Sequence, residues 1–180
     1  MFNPDPSGPP SVIYQAAKLG DVGCLLAEFK LAAEAQHADR HPGRLYGVSG
    51  GAFLALASGL HWASQVGPDR WSAASTALDD FRSFLETAPS RALRARNLDP
   101  RYGPFNLRPL RAWIDARLRA YGAPDDPWLS DLGVPLYLCT MDRDGTFTLL
   151  GPADEGLQFQ YHAVRVGPPR DAPISEALIA

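Results

Sequence analysis

A chain of 180 residues is long enough to form one domain with a substantial core. Hydrophobic residues make up 46% and charged residues 21%, ordinary globular proportions that exclude a disordered chain. A net charge of −3 argues against nucleic acid as a partner, although all basic residues except Lys18 and Lys30 are arginine.

Residues 1–11 are polar and proline-rich and read as a disordered tail. They lack the charged and apolar regions of a signal peptide. No apolar run in the chain approaches the roughly 18 residues that span a bilayer. The expectation is a soluble, cytoplasmic protein with at most peripheral contact with a membrane. Residues 12–180 read as a single domain. Val12 to Tyr14 can form a short strand. Lys18 to Gly23 reads as a turn. Val22, Leu25, Leu26, Phe29 and Ala33 then follow the spacing of one apolar helix face. Cys24 and Cys139 lie in apolar segments, as buried small hydrophobes in a reducing compartment do. No cysteine or histidine spacing suits a metal, and no cofactor is expected.

After the loop from His37 to Gly43 comes the most informative stretch, Leu45-Tyr46-Gly47-Val48-Ser49-Gly50-Gly51-Ala52. Arg44 to Tyr46 can be strand, and Ala52 to Ala57 is an unbroken apolar run suited to a helix buried on all sides. Gly47, Ser49 and Gly51 match G-x-S-x-G, the nucleophile elbow. A strand that turns at once into a helix crowds the positions two residues either side of the serine, and glycine relieves that crowding. The serine then stands at a helix N-terminus, where backbone N–H groups favour negative charge. Gly50 N–H is the candidate first oxyanion donor. A tight structural turn is the other reading of the motif.

Trp71 to Thr87 reads as a helix whose Trp71, Phe81 and Phe84 belong to the core. Leu107, Leu110, Ile114, Leu118 and Tyr121 predict an amphipathic helix over 107–121. Val134 to Met141 has the composition of a central strand covered on both faces. Asp142 to Gly145 and Thr146 to Leu150 complete a hairpin. Phe159 to Val166 reads as a further strand, and Pro173 opens a last helix. The strand–helix order at the start implies a parallel sheet with covering helices. Between Arg91 and Arg119, eight arginines meet only Asp99 and Asp115. They read as a solvated face paired with Asp125, Asp126 and Asp131, or as a patch for anionic lipid.

Taken together, these elements resemble the patatin-like phospholipases. Gly47-Val48-Ser49-Gly50-Gly51-Ala52 is similar to that family's nucleophile motif. Gly20-Asp21-Val22-Gly23 sits where the family has its glycine-rich oxyanion loop, with Lys18, Leu19 and Val22 departing from the usual pattern. Asn106 to Arg111, Pro135 to Asp142 and Ile174 to Ala180 resemble further family segments. The resemblance implies a three-layer α/β fold: a mainly parallel central sheet with helices on both faces, here incomplete at its C-terminus. It also implies a serine acyl hydrolase of lipid or other acyl esters that needs no cofactor. Ser49 would be the nucleophile, and Gly50 with the Gly20, Asp21, Val22 and Gly23 loop would hold the oxyanion. The family's base is an aspartate in an Asp-Gly pair, expected beyond this chain, because no Asp-Gly follows residue 145. Asp144-Gly145 comes too early to match it well, and 180 residues alone can be inactive. Two other readings stand beside this one. One is an α/β-hydrolase triad of Ser49, Asp142 and His162. The other is a degenerate, non-catalytic module that binds lipid or a partner protein.

Overall fold

The computed structural model describes residues 11–16, 43–87, 108–141, 144–154, 157–161 and 164–179. Strands β1 (Ser11–Ala16), β2 (Arg44–Ser49), β3 (Leu136–Met141) and β4 (Phe147–Leu150) form one sheet in that order. β1, β2 and β3 run parallel, and β4 returns antiparallel to β3. The fold is therefore mixed α/β with a mostly parallel sheet. The strand expected at Val12 to Tyr14 begins one residue earlier, so Ser11, read by sequence as tail, pairs with Arg44.

Alternation along β2 and β3 divides the core in two. Leu45, Leu136 and Leu138 point into a large cluster on one face. Tyr46, Val48, Tyr137 and Cys139 point into a smaller cluster on the other. Strands covered on both faces need apolar residues at every position, which is why these segments carry no alternation of polarity in the sequence. The large cluster is built on α1 (Gly51–Val66), which packs against β1, β2 and β3. Every residue of α1 from Gly51 to Leu60 is buried, as its uniformly apolar sequence requires.

The segment expected as one helix from Trp71 to Thr87 is two. A 3₁₀ helix spans Asp69–Thr76, and α2 spans Ala77–Thr87. Trp71, Ala74 and Ala77 are all fully buried and stand three apart, the period of a 3₁₀ helix. Trp71 Nε1 also donates to the Asp131 carbonyl at 2.8 Å, which holds the tighter turn in place. Phe81 and Phe84 then resume α spacing. With Trp113 of α3 (Arg108–Ala120) they surround Phe53 of α1, at centroid distances of 4.6, 5.6 and 6.0 Å. These rings link three helices, each pair worth about 1 kcal/mol beyond its burial.

The small cluster is covered among the described residues by a ribbon, not a helix. Phe159 to Val166, expected as one strand, is an antiparallel pair, β5 (Phe159–Tyr161) and β6 (Val164–Val166). The intervening His162 and Ala163 carry none of the glycine or asparagine that announces a tight turn. Phe159 stacks on Tyr46 at 5.1 Å, and Tyr46 stacks on Tyr137 at 5.3 Å. Asp154 closes this side, accepting from Arg44 Nη2 at 2.9 Å and Tyr137 Oη at 3.3 Å. The chain then returns past β4. Arg170 N–H donates to Leu149 O, and Gly151 N–H donates to Arg170 O. Leu129 N–H and Ile174 N–H tie the next residues to the 127–129 segment, and α4 (Ile174–Ile179) docks with Ile174 and Ala177 buried. Pro173 thus precedes a helix, as expected.

Burial pushes the phenols of Tyr46 and Tyr137 from 10.0 up to about 12. A raised phenol favours the neutral form in the folded state, so its contribution is complete below pH 10. Above pH 10 the unfolded chain loses these protons first, and stability falls until the folded groups ionise near pH 12. Urea midpoints are expected to fall between pH 10 and 12, and Tyr46→Phe is expected to flatten that fall.

Candidate active site

Ser49 is the last residue of β2, and α1 begins at Gly51. The strand–turn–helix context expected from sequence is present. Ser49 has φ +54°, in the left-handed region, and is exposed. A non-glycine residue there costs about 1 kcal/mol, and such strain persists where the surroundings enforce it. Gly50 already has helical backbone angles, φ −55° and ψ −24°. The reversal is therefore concentrated at the serine itself.

Both flanking glycines are enforced by contact. A Cβ on Gly47 would lie 2.6 Å from Ala52 Cα and 2.9 Å from Ala55 Cβ, so β2 touches the helix backbone. A Cβ on Gly51 would lie 2.2 Å from the Tyr14 carbonyl oxygen and 2.8 Å from Gln15 N. The end of α1 thus sits directly on the backbone of β1. Neither neighbour is the far end of a flexible side chain, so neither position can accept alanine without backbone movement.

The register places Ala16, the end of β1, beside Ser49. Val48 pairs with Cys139, so β3 also ends at this edge. The site is at the carboxyl edge of the parallel strands, where open α/β sheets bind ligands. The chain leaves β1 next to Ser49, four residues before Gly20. The expected oxyanion residues Gly20, Asp21, Val22 and Gly23 lie outside the described residues, as do Asp142 and His162 of the alternative triad.

Asp144 is exposed in the β3–β4 turn. Its Oδ1 accepts from Thr146 N–H at 3.0 Å, and this bond holds its carboxyl below the usual range. That lowers its strength as a base. Cys139 is buried, and burial pushes its thiol up, away from the reactive thiolate. Among the described residues no group of histidine, cysteine or acidic side chains could hold a metal ion. No helix among them is long and apolar enough to cross a membrane.

Of the arginine patch, Arg91, Arg94, Arg96 and Arg101 lie outside the described residues. Arg111 reaches Glu176 at 3.3 Å and Asp115 at 3.9 Å; Arg117 reaches Asp80 at 3.6 Å. Pairing within the protein is therefore real, but its partners differ from those expected. Asp131 takes Arg70 at 3.1 Å. Sequence distance hid Asp80 and Glu176, which reach α3 only through packing. Sequence reasoning also missed Tyr14 and Gln15, whose backbone supports the elbow; nothing in an alternating strand signals that role.

Gly51→Ala is expected to destabilise the protein by about 2 kcal/mol or more, through overpacking against β1. Gly59→Ala on the same helix, whose Cβ would meet the Leu136 Cδ2 methyl at 3.3 Å, is expected to be near neutral because helix propensity offsets the contact. Urea denaturation of both variants checks the contrast. No family model, curated protein or solved structure matches this chain.

Proposed function

We propose that the chain carries the nucleophile of a serine acyl hydrolase acting on lipid or other acyl esters, as the likeness of its motifs to patatin-like phospholipases implies. The observation that carries the reading is Ser49 at φ +54°, between two sterically enforced glycines and at the start of a buried helix. A residue held in strain and exposed at the carboxyl edge of a parallel sheet is costly to stability and useful to chemistry.

In the proposed reaction Ser49 Oγ attacks the ester carbonyl carbon. A base takes the hydroxyl proton. Gly50 N–H and the segment following β1 hold the oxyanion, each donor worth about 3 kcal/mol. The carbonyl re-forms, the alcohol leaves with the proton, and water hydrolyses the acyl-enzyme. No residue among those described is assigned as the base. The resemblance implies an aspartate in an Asp-Gly pair for that role. The finer architecture proposed is the three-layer patatin-like arrangement. Contact of the arginines between Arg91 and Arg119 with an anionic membrane surface is part of the same proposal.

In protein that carries the Asp-Gly base, a fluorophosphonate probe is expected to label Ser49, as read by mass spectrometry, and Ser49→Ala is expected to abolish the label. An unlabelled wild type overturns the reading in favour of a non-catalytic module. Ser49→Gly is a second check. It is expected to raise stability by about 1 kcal/mol, by relieving the left-handed backbone, while removing the label. Denaturant midpoints measure the gain.

A further inference from the structure

Helix α1 meets β1 at two heights. At its first residue, Gly51 lies against the Tyr14 carbonyl. Farther along, the Ser58 hydroxyl accepts from Tyr14 Oη at 3.0 Å. Tyr14 is 2% exposed and Ser58 0%, and they meet inside an otherwise apolar core. Tyr14 therefore supplies both contacts, one through its backbone and one through its phenol. The contact at Gly51 fixes one end of a helix that the sheet and its neighbours already enclose. Two contacts roughly 10 Å apart along the helix set its angle. The second contact is directional, which an apolar pair of equal volume would not be. Tyr14 also stands two residues before Ala16, the register partner of Ser49.

We infer that Tyr14 is a positioning residue. Its bond to Ser58 sets the angle at which the N-terminal N–H groups of α1 stand beneath Ser49 at the carboxyl edge of the sheet. The kinetic consequence rests on Ser49 being the nucleophile; the structural consequence does not.

The test uses Tyr14→Phe, which keeps the ring and its burial, with Ser58→Ala as the reciprocal variant should the first fold poorly. Amide hydrogen exchange at Leu54 and Ala55, in the first bonded turn of α1, is expected to quicken about tenfold, with Leu138 and Cys139 of β3 unchanged. Unchanged exchange at Leu54, or an equal rise in both elements, overturns the inference. Fluorophosphonate labelling of Ser49 is expected to slow about tenfold in either variant and no further in the double variant, because misalignment is what both produce. Labelling at the wild-type rate in folded Tyr14→Phe also overturns it. A wild type that takes no label even in protein that carries the Asp-Gly base defeats the nucleophile reading instead, and the exchange result then decides the positioning role alone.

Discussion

The architecture depends on a contact that contains no side chain: the first residue of α1 pressed against the backbone of β1 at Tyr14 and Gln15. This approach leaves room for hydrogen alone at Gly51. It brings the helix end under the carboxyl edge of the sheet, and the strand before it must reverse within two residues. Gly47 yields to Ala52 and Ala55 on the other side of that reversal. Caught between two such contacts, Ser49 takes the left-handed conformation. The exposed hydroxyl is thus a product of backbone packing, and the strain at one residue is supported by burial distributed along α1 from Gly51 to Leu60.

That support is broad. Helix α1 is apolar around its circumference because the sheet, the 3₁₀ helix and the aromatic rings of α2 and α3 enclose it. The opposite face of the sheet is stabilised differently. Stacked rings of Tyr46, Tyr137 and Phe159 sit beneath a short ribbon, closed at one side by the Arg44–Asp154 pair. Half-exposed pairs of this kind add little stability, and the buried rings account for most of what holds the ribbon. The start of α1 therefore lies on the better-buried face of the sheet.

Charge plays a lesser part. The described arginines of α3 that ion pairs reach are answered by carboxylates of α2, α3 and α4. Arg117 also lies over the Trp113 ring at 5.8 Å. These contacts tie surface helices to one another.

Local order was legible in the residues wherever one physical requirement acted alone. The apolar run after Ser49 suited a buried helix. The apolar segment around Leu136 to Cys139 had the composition of a strand covered on both faces. The glycines at 47 and 51 announced a turn too tight for a Cβ. Where two structures share one pattern, sequence did not separate them. Alternation from Phe159 to Val166 suits a strand or a hairpin, and apolar spacing from Trp71 onward suits an α-helix until Trp71, Ala74 and Ala77 are all seen to be buried. Tertiary structure alone decided which backbone lies against Gly51, which carboxylates meet Arg111 and Arg117, and that Tyr14 bonds Ser58 across 44 residues. The reason is physical: steric exclusion and periodicity act between near neighbours and are written locally, whereas a long-range partner is chosen by the packing of elements whose surfaces do not exist until the chain has folded.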